Sequence, residues 1–372
     1  MKKYFSAFIG LLLSGFTNGQ TTEAKNGIEN NYKNLNNKQV KLLFNATKSF
    51  PNNTQLSIAL IRNKKIDFIG VKRLNDTIKL IENQKYTFEI GSITKVFTAT
   101  LLADFVEKQK LNLDDYIQDY LDFKIKTESK ITFKQLANHT SGLPRLPSNL
   151  NLWLVDHDNP YKDYNKEKLI TYLTKEIKLN QEPGTKYEYS NLGAGILGFE
   201  LATIANSSFE SLLQDKIFTK YNMLNSSSKR ENIKTKLVKG LNPKGKDTPN
   251  WDFNVLAGAG AIFSTAEDLA QFVLAQFNYQ NNALMLTQKP TFKINEAMSI
   301  GLGWHILKSE DSSELIWHNG GTGGYTSSMA VNVKKKNGII ILSNVSALNK
   351  KIANIDHLCI DFMKTLEEED KK

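Results

Sequence analysis

Tyr86-Thr87-Phe88-Glu89-Ile90-Gly91-Ser92-Ile93-Thr94-Lys95 runs from an extended-looking stretch into an apolar segment in which Val96, Phe97, Ala99, Ala103 and Val106 recur at roughly helical period. Residues three apart share one face of a helix, so Ser92 and Lys95 are expected side by side at a helix start. A serine hydroxyl is a poor nucleophile until a base takes its proton. A lysine can be that base only where burial or nearby cations lower its pKa. A helix N-terminus also places backbone N–H groups near a developing oxyanion. The same spacing recurs at Ser226-Ser227-Ser228-Lys229, in a polar, turn-like run. Spacing alone does not choose between the two.

At 372 residues and 40% hydrophobic content, the chain can bury a large core. Lys2 and Lys3, the apolar run from Tyr4 to about Phe16, and Thr17-Asn18-Gly19 read as an export signal over residues 1–20. The run falls short of the ~20 residues that span a bilayer. The expectation is a periplasmic or secreted protein with no stable membrane insertion. Cys359 is the only cysteine and lies among Ile355, Leu358, Ile360 and Phe362, so it reads as a buried structural thiol. The net charge of +10 is scattered rather than arranged as a basic stripe among aromatics, which argues against a nucleic-acid partner. The five histidines are dispersed, with no His-Glu-x-x-His or paired cysteines. No metal site and no cofactor are expected.

Leu56–Ile61 and Asp67–Val71 read as strands joined by Arg62-Asn63-Lys64-Lys65. Residues from about 112 to 250 read as mostly helical, with loops near 144–160 and 242–250. Ser264-Thr265-Ala266-Glu267 reads as a capping box opening a helix to Gln276. Strand signals return at Gly303–Leu307, Glu314–Trp317, Tyr325–Val333 and Gly338–Ser343, with Lys334-Lys335-Lys336 at a hairpin tip and a closing helix from Asn349 to about Glu368. The fold class expected is α+β (mixed α/β), an antiparallel sheet flanked by helices with an inserted helical region. One domain would occupy residues 21–372, its α/β part at about 40–111 and 251–372 and its helical part at about 112–250.

Two further segments carry chemistry. A Pro183-Gly184 turn leads to Tyr189-Ser190-Asn191, a phenol and an amide together; a phenol can relay protons if cations lower its pKa. Trp317-His318-Asn319-Gly320-Gly321-Thr322-Gly323-Gly324-Tyr325 is dense in glycine between strand-like runs, so a ligand can approach its backbone closely.

In this order, Ser92-Ile93-Thr94-Lys95, Tyr189-Ser190-Asn191 and His318-Asn319-Gly320 resemble the three motifs of the class C β-lactamase and DD-peptidase family of penicillin-recognising serine hydrolases. The segment from Ile131 to Pro144 resembles its His-Thr-Ser-Gly-Leu-Pro signature, and Ala257–Leu269 its Gly-x-x-Ser-Thr-x-x-Asp-Leu stretch. The resemblance runs from about residue 40 to 365 and implies the β-lactamase/transpeptidase-like fold. It makes Ser92 the acylated nucleophile, Lys95 its amine partner, and Tyr189 a proton shuttle. Asn191, His318, Asn319, Gly320 and Gly321 become substrate-binding, with the N–H groups of Ser92 and Gly321 as oxyanion hole. His139 is mainly structural in that signature. His318 stands where many members have lysine, and Asn319 where they have threonine. The implied function is a serine β-lactamase-type hydrolase opening β-lactam or related amide bonds, acting on small molecules or peptidoglycan peptides as a monomer. A D-alanyl-D-alanine carboxypeptidase or endopeptidase, a carboxylesterase, and a non-catalytic penicillin-binding sensor are the alternatives, because one fold hosts all of them.

Overall fold

The computed structural model describes residues 25–28, 35–151, 153, 155–308 and 314–369. The export signal expected at residues 1–20 lies outside them. The chain enters through strand β1 (Lys25–Asn26) and helix α1 (Asn37–Thr47). The hairpin-connected β2 (Gln55–Arg62), β3 (Lys65–Leu74) and β4 (Thr77–Ile81) follow, then the short β5 (Phe88–Glu89) outside their sheet. After a 3-10 turn at Gly91–Ile93 comes α2 (Thr94–Glu107). The middle of the chain carries α3 (Phe133–Ala137), α4 (Lys166–Thr171), α5 (Asn191–Ile204), α6 (Phe209–Leu213), β6 (Gly240–Leu241) and β7 (Asp247–Thr248). Then follow β8 (Phe263–Ser264), α7 (Ala266–Gln276), α8 (Asn282–Gln288), β9 (Phe292–Lys293), β10 (Met298–Ile300), β11 (His305–Lys308), β12 (Glu314–Gly321), β13 (Thr326–Asn332), β14 (Asn337–Ser343) and α9 (Ala353–Glu369).

One sheet organises the molecule, in the order β1-β4-β3-β2-β14-β13-β12-β11-β10-β9. Every pairing is antiparallel except the edge pair β1–β4. In β2, side chains alternate between two cores. Leu56, Ile58 and Leu60 join α1 and α9 on one face, while Ala59 and Ile61 join the core shared with α2, α7 and the middle region. In β12 the same alternation sends Leu315 and Trp317 to the α1/α9 face and Ile316 to the other. Both faces are covered, which is why β2 and β14 read as near-continuous apolar runs rather than alternating ones.

Three expectations change. Apart from α5, residues 112–250 hold only short helices separated by long irregular stretches; apolar residues that suggested helix pack as loop anchors, such as Ile125, Ile131, Tyr161 and Tyr164. Thr265, not Ser264, caps α7, accepting from Asp268 N. Its would-be partner Asp268 instead takes Ser226 Oγ and Asn225 N, at 2.7 Å each. The strand expected at Glu314–Trp317 continues through Gly321, so Gly320 and Gly321 belong to a sheet strand beside the site, while Gly323 and Gly324 lie in the turn that follows. Among the described residues no helix is long and apolar enough to cross a membrane. Cys359 is buried on α9, and burial pushes its thiol pKa up.

Candidate active site

The site begins with a turn only glycine accepts easily. Gly91 sits at φ +50°, and a Cβ there would come within 2.5 Å of Gly321 N. A Cβ on Gly320 would lie 2.8 Å from Ser92 N. The ends of β5 and β12 are therefore pressed together, bringing the backbones of Ser92 and Gly321 side by side. Ser327 Oγ, on β13, donates to Ile90 O at 2.8 Å and ties the same turn to the sheet.

Lys95, one turn into the helix, is only 2% exposed. Its Nζ lies 3.0 Å from Ser92 Oγ and donates to Ala259 O at 2.7 Å. The Gly258–Gly260 corner that supplies this carbonyl also takes Thr98 Oγ1 on Gly258 O, at 2.8 Å. Burial first, and the Arg145 cation second, hold the Lys95 pKa well below that of an ordinary lysine. The amine is thereby poised to accept the serine proton.

Tyr189 completes the group. Its ring centroid is 4.8 Å from Lys95 Nζ, and its hydroxyl hydrogen-bonds Ser92. The Ser92 contact and Arg145 lower its pKa, yet burial outweighs them and pushes it up to about 12. Tyr189 is thus a proton-bearing phenol at neutral pH, and of the two groups the buried amine is the one whose pKa is shifted toward serving as base. His139 braces this ring from a left-handed backbone (φ +60°), with ring centroids 4.5 Å apart. Its Nδ1 accepts from Ser190 N at 3.2 Å. Burial holds its own pKa well below the usual histidine value.

Asn191 opens α5, and its Nδ2 donates to Tyr161 Oη at 3.3 Å while Oδ1 has no partner among the described residues. Tyr161 stacks on Phe253 at 4.6 Å and meets Trp251 at 5.5 Å, forming an aromatic wall. His318 faces the site from β12, its ring 6.3 Å from Tyr189 and 5.3 Å from His305. Its Nδ1 is 2.6 Å from Asn319 O, its Nε2 has no partner, and burial holds its pKa well below the usual value. His318 is therefore neutral. Asn319 is the correction: its side chain, expected on substrate, donates to Asp356 Oδ2 of α9 at 2.8 Å. Strand alternation puts it on the opposite face of the sheet from His318.

The structure thus gathers Ser92, Lys95, Tyr189, Asn191, His318, Gly320 and Gly321, and removes the Asn319 side chain. It adds residues the sequence did not single out: Tyr161, His305, Ala259 through its carbonyl, and Arg145. The Arg145 guanidinium carbon lies 5.1 Å from the Tyr189 ring centroid. It directly follows the Leu143-Pro144 end of the signature, so one more residue of that segment would have flagged it. Among the described residues no cluster of His, Cys, Asp and Glu could hold a metal ion.

Comparison with known proteins agrees with this fold. The family model described as beta-lactamase matches residues 56–357. Protein flp of Staphylococcus aureus (strain NCTC 8325 / PS 47) is 25% identical over 309 residues, covering 78% of this chain and 59% of that protein. Beta-lactamase-like protein 4 of Dictyostelium discoideum is 28% identical over 346 residues, covering 82% and 58%. The chain therefore spans about three fifths of the length of these relatives. The octameric penicillin-binding protein homologue from Pyrococcus abyssi superposes with TM-score 0.72 at 21% identity, over 88% of this chain and 76% of that one. A beta-lactamase/D-alanine carboxypeptidase from Pseudomonas syringae gives 0.71 at 21% identity, over 88% and 98%. The fold is the β-lactamase/transpeptidase-like one.

Proposed function

The chain belongs to the beta-lactamase family, and from that premise we propose that it is a serine hydrolase opening β-lactam or related amide bonds through an acyl-enzyme on Ser92. The observation that carries this is the buried Lys95 amine 3.0 Å from Ser92 Oγ. In the proposed cycle Lys95 takes the Ser92 proton as Oγ attacks the carbonyl carbon. The resulting oxyanion is held by the N–H groups of Ser92 and Gly321. The C–N bond then breaks; Tyr189 protonates the leaving nitrogen and is reprotonated by the Lys95 ammonium. Water, giving its proton to the same pair, hydrolyses the ester and restores Ser92. Export through residues 1–20 and action as a single chain belong to the same proposal.

Ester hydrolysis is the second reading, favoured by one observation: His318 is neutral where a lysine would attract a substrate carboxylate. Intact-protein mass spectrometry after mixing with a penicillin, beside Ser92→Ala, separates the readings. Hydrolysed drug with a fleeting adduct on the wild type supports the β-lactamase. A long-lived adduct on Ser92 points to a D-alanine carboxypeptidase or a sensor. No adduct and no hydrolysis overturns penicillin recognition and leaves the esterase.

A further inference from the structure

A substrate carboxylate next to the scissile bond needs a cation or a cluster of donors to replace its water. His318 is buried and uncharged, and the Asn319 amide is committed to Asp356 on the far side of the sheet. Lys95 lies buried beneath the nucleophile. Among the described residues, the cation that stands free at this site is Arg145. It is exposed, its guanidinium lies against the Tyr189 ring whose hydroxyl bonds Ser92, and among the described residues no carboxylate pairs with it. Arg230, by contrast, is matched to Asp252 at 3.4 Å.

The backbone around Arg145 is fixed although its side chain is exposed. Its carbonyl accepts Asn191 N at 3.0 Å and Leu192 N at 3.1 Å, and Pro144 O accepts Ser190 Oγ at 2.7 Å. The guanidinium is thus carried on a segment stitched to the start of α5, the element that presents Asn191. Guanidinium is always charged, and its planar fork matches a carboxylate through two parallel hydrogen bonds.

We propose that Arg145 anchors the carboxylate of the acyl substrate, taking the part that His318 leaves vacant. The inference rests on the acyl-hydrolase reading above and deepens it: the preferred substrates carry an anionic group close to the scissile carbonyl. Arg145 would contact substrate directly rather than act only through its field on Lys95.

The test compares matched substrates, 3-carboxyphenyl acetate beside phenyl acetate and a penicillin beside its methyl ester, with wild type, Arg145→Gln and Arg145→Lys. Arg145→Gln should lower kcat/KM on the carboxylate member about 10- to 100-fold more than on the neutral member, chiefly through KM, and Arg145→Lys should recover part of the difference. Equal losses on both members would show that Arg145 only tunes Lys95, and overturn the proposal; so would no change on either. Binding of the penicillin to Ser92→Ala and to Ser92→Ala/Arg145→Gln, followed by calorimetry, reads the same contact without turnover. A Kd about tenfold or more weaker in the double variant supports the anchor. Equal or absent binding overturns it. Wild type that turns over none of the four compounds would instead overturn the acyl-hydrolase reading, and the calorimetric arm still decides Arg145.

Discussion

Ser92 and Lys95 stand three residues apart, and so do Ser226 and Lys229, yet the two pairs lead opposite lives. The first pair sits where a 3-10 turn runs into α2, so its side chains share a face and meet at 3.0 Å. The second lies in a bridge-and-bend run outside any helix, with Lys229 at φ −121° and ψ 120°. No helical turn puts its two side chains on one face, and Lys229 N donates to Ser227 Oγ at 2.9 Å. Lys229 is exposed, while Ser226 binds Ser264 Oγ and Asp268 Oδ2, and Ser227 and Ser228 bind Glu210. One serine is left with a base; the other three serve as donors to buried carboxylates. A spacing carries chemistry only when the backbone makes it a contact and burial changes the charge of a partner.

The largest expected effect lies at the nucleophile. Ser92→Ala should reduce acyl-adduct formation about 10⁴-fold or more, followed by mass spectrometry with any acylating probe, while Ser226→Ala forms the adduct as wild type does. Adduct surviving on Ser92→Ala and lost on Ser226→Ala would reverse the comparison.

Next comes the amine. Lys95→Ala should cost about 10²- to 10⁴-fold in acylation rate. Lys95→Arg should do no better, because a guanidinium cannot give up its proton to serve as base. Rescue by arginine would mean that charge rather than basicity is what Lys95 supplies.

The pH profile sharpens the same point. The base must be unprotonated, so kcat/KM should rise with pH through the depressed Lys95 pKa and level off well before an ordinary lysine titrates. Arg145 is the second cause of that depression. Arg145→Gln should therefore move the rising limb to higher pH, measured on a neutral ester; a limb that stays put contradicts this origin.

At the second serine run the effects fall on stability. Burial alone would raise the Glu210 pKa, but hydrogen bonds from Ser228, Ser227 and Gln214 outweigh it and the net shift is downward. A carboxyl depressed in the folded state contributes stability above its unfolded pKa of about 4.3, lost as pH falls through the folded value. Glu210→Gln should lower unfolding free energy by about 1–3 kcal/mol at pH 7, and the gap to wild type should close on acidification. Denaturant melts at pH 7 and pH 3 check it. Smallest of all, Lys229→Ala should stay within about 0.5 kcal/mol, as an exposed side chain away from any core feature; a larger loss would show that Lys229 holds something the structure does not reveal.

Legibility followed the reach of the interactions. The strands at Leu56–Ile61, Asp67–Val71 and Gly338–Ser343 were readable because each is a run of apolar residues bounded by turn residues, a local pattern. The short outer strands β1, β9 and β10 were not, being two or three residues long and held by their neighbours' hydrogen bonds. Residues 112–250 were misread because apolar residues that anchor loops look, in one dimension, like those that line a helix. At the site, Ser92, Lys95, Tyr189, Asn191 and His318 were legible as an ordered set of motifs. Asn319 was misplaced because motif position says nothing of which face of β12 a side chain takes until α9 supplies Asp356.

By itself the sequence determined the helix that carries Ser92 and Lys95, the central strands of the sheet, and the order of segments that recurs in the beta-lactamase family. These depend on periodicity and residue type within short windows. Only the tertiary structure decided that the pKa values of Lys95 and His318 are pushed down, that Tyr189 keeps its proton, that Arg145 overlooks the phenol with no carboxylate partner among the described residues, and that Ser226 is occupied. Each of these depends on what distant parts of the chain exclude water from, or place within hydrogen-bond reach of, a titratable group, and desolvation is a property of the packed molecule rather than of any stretch of it.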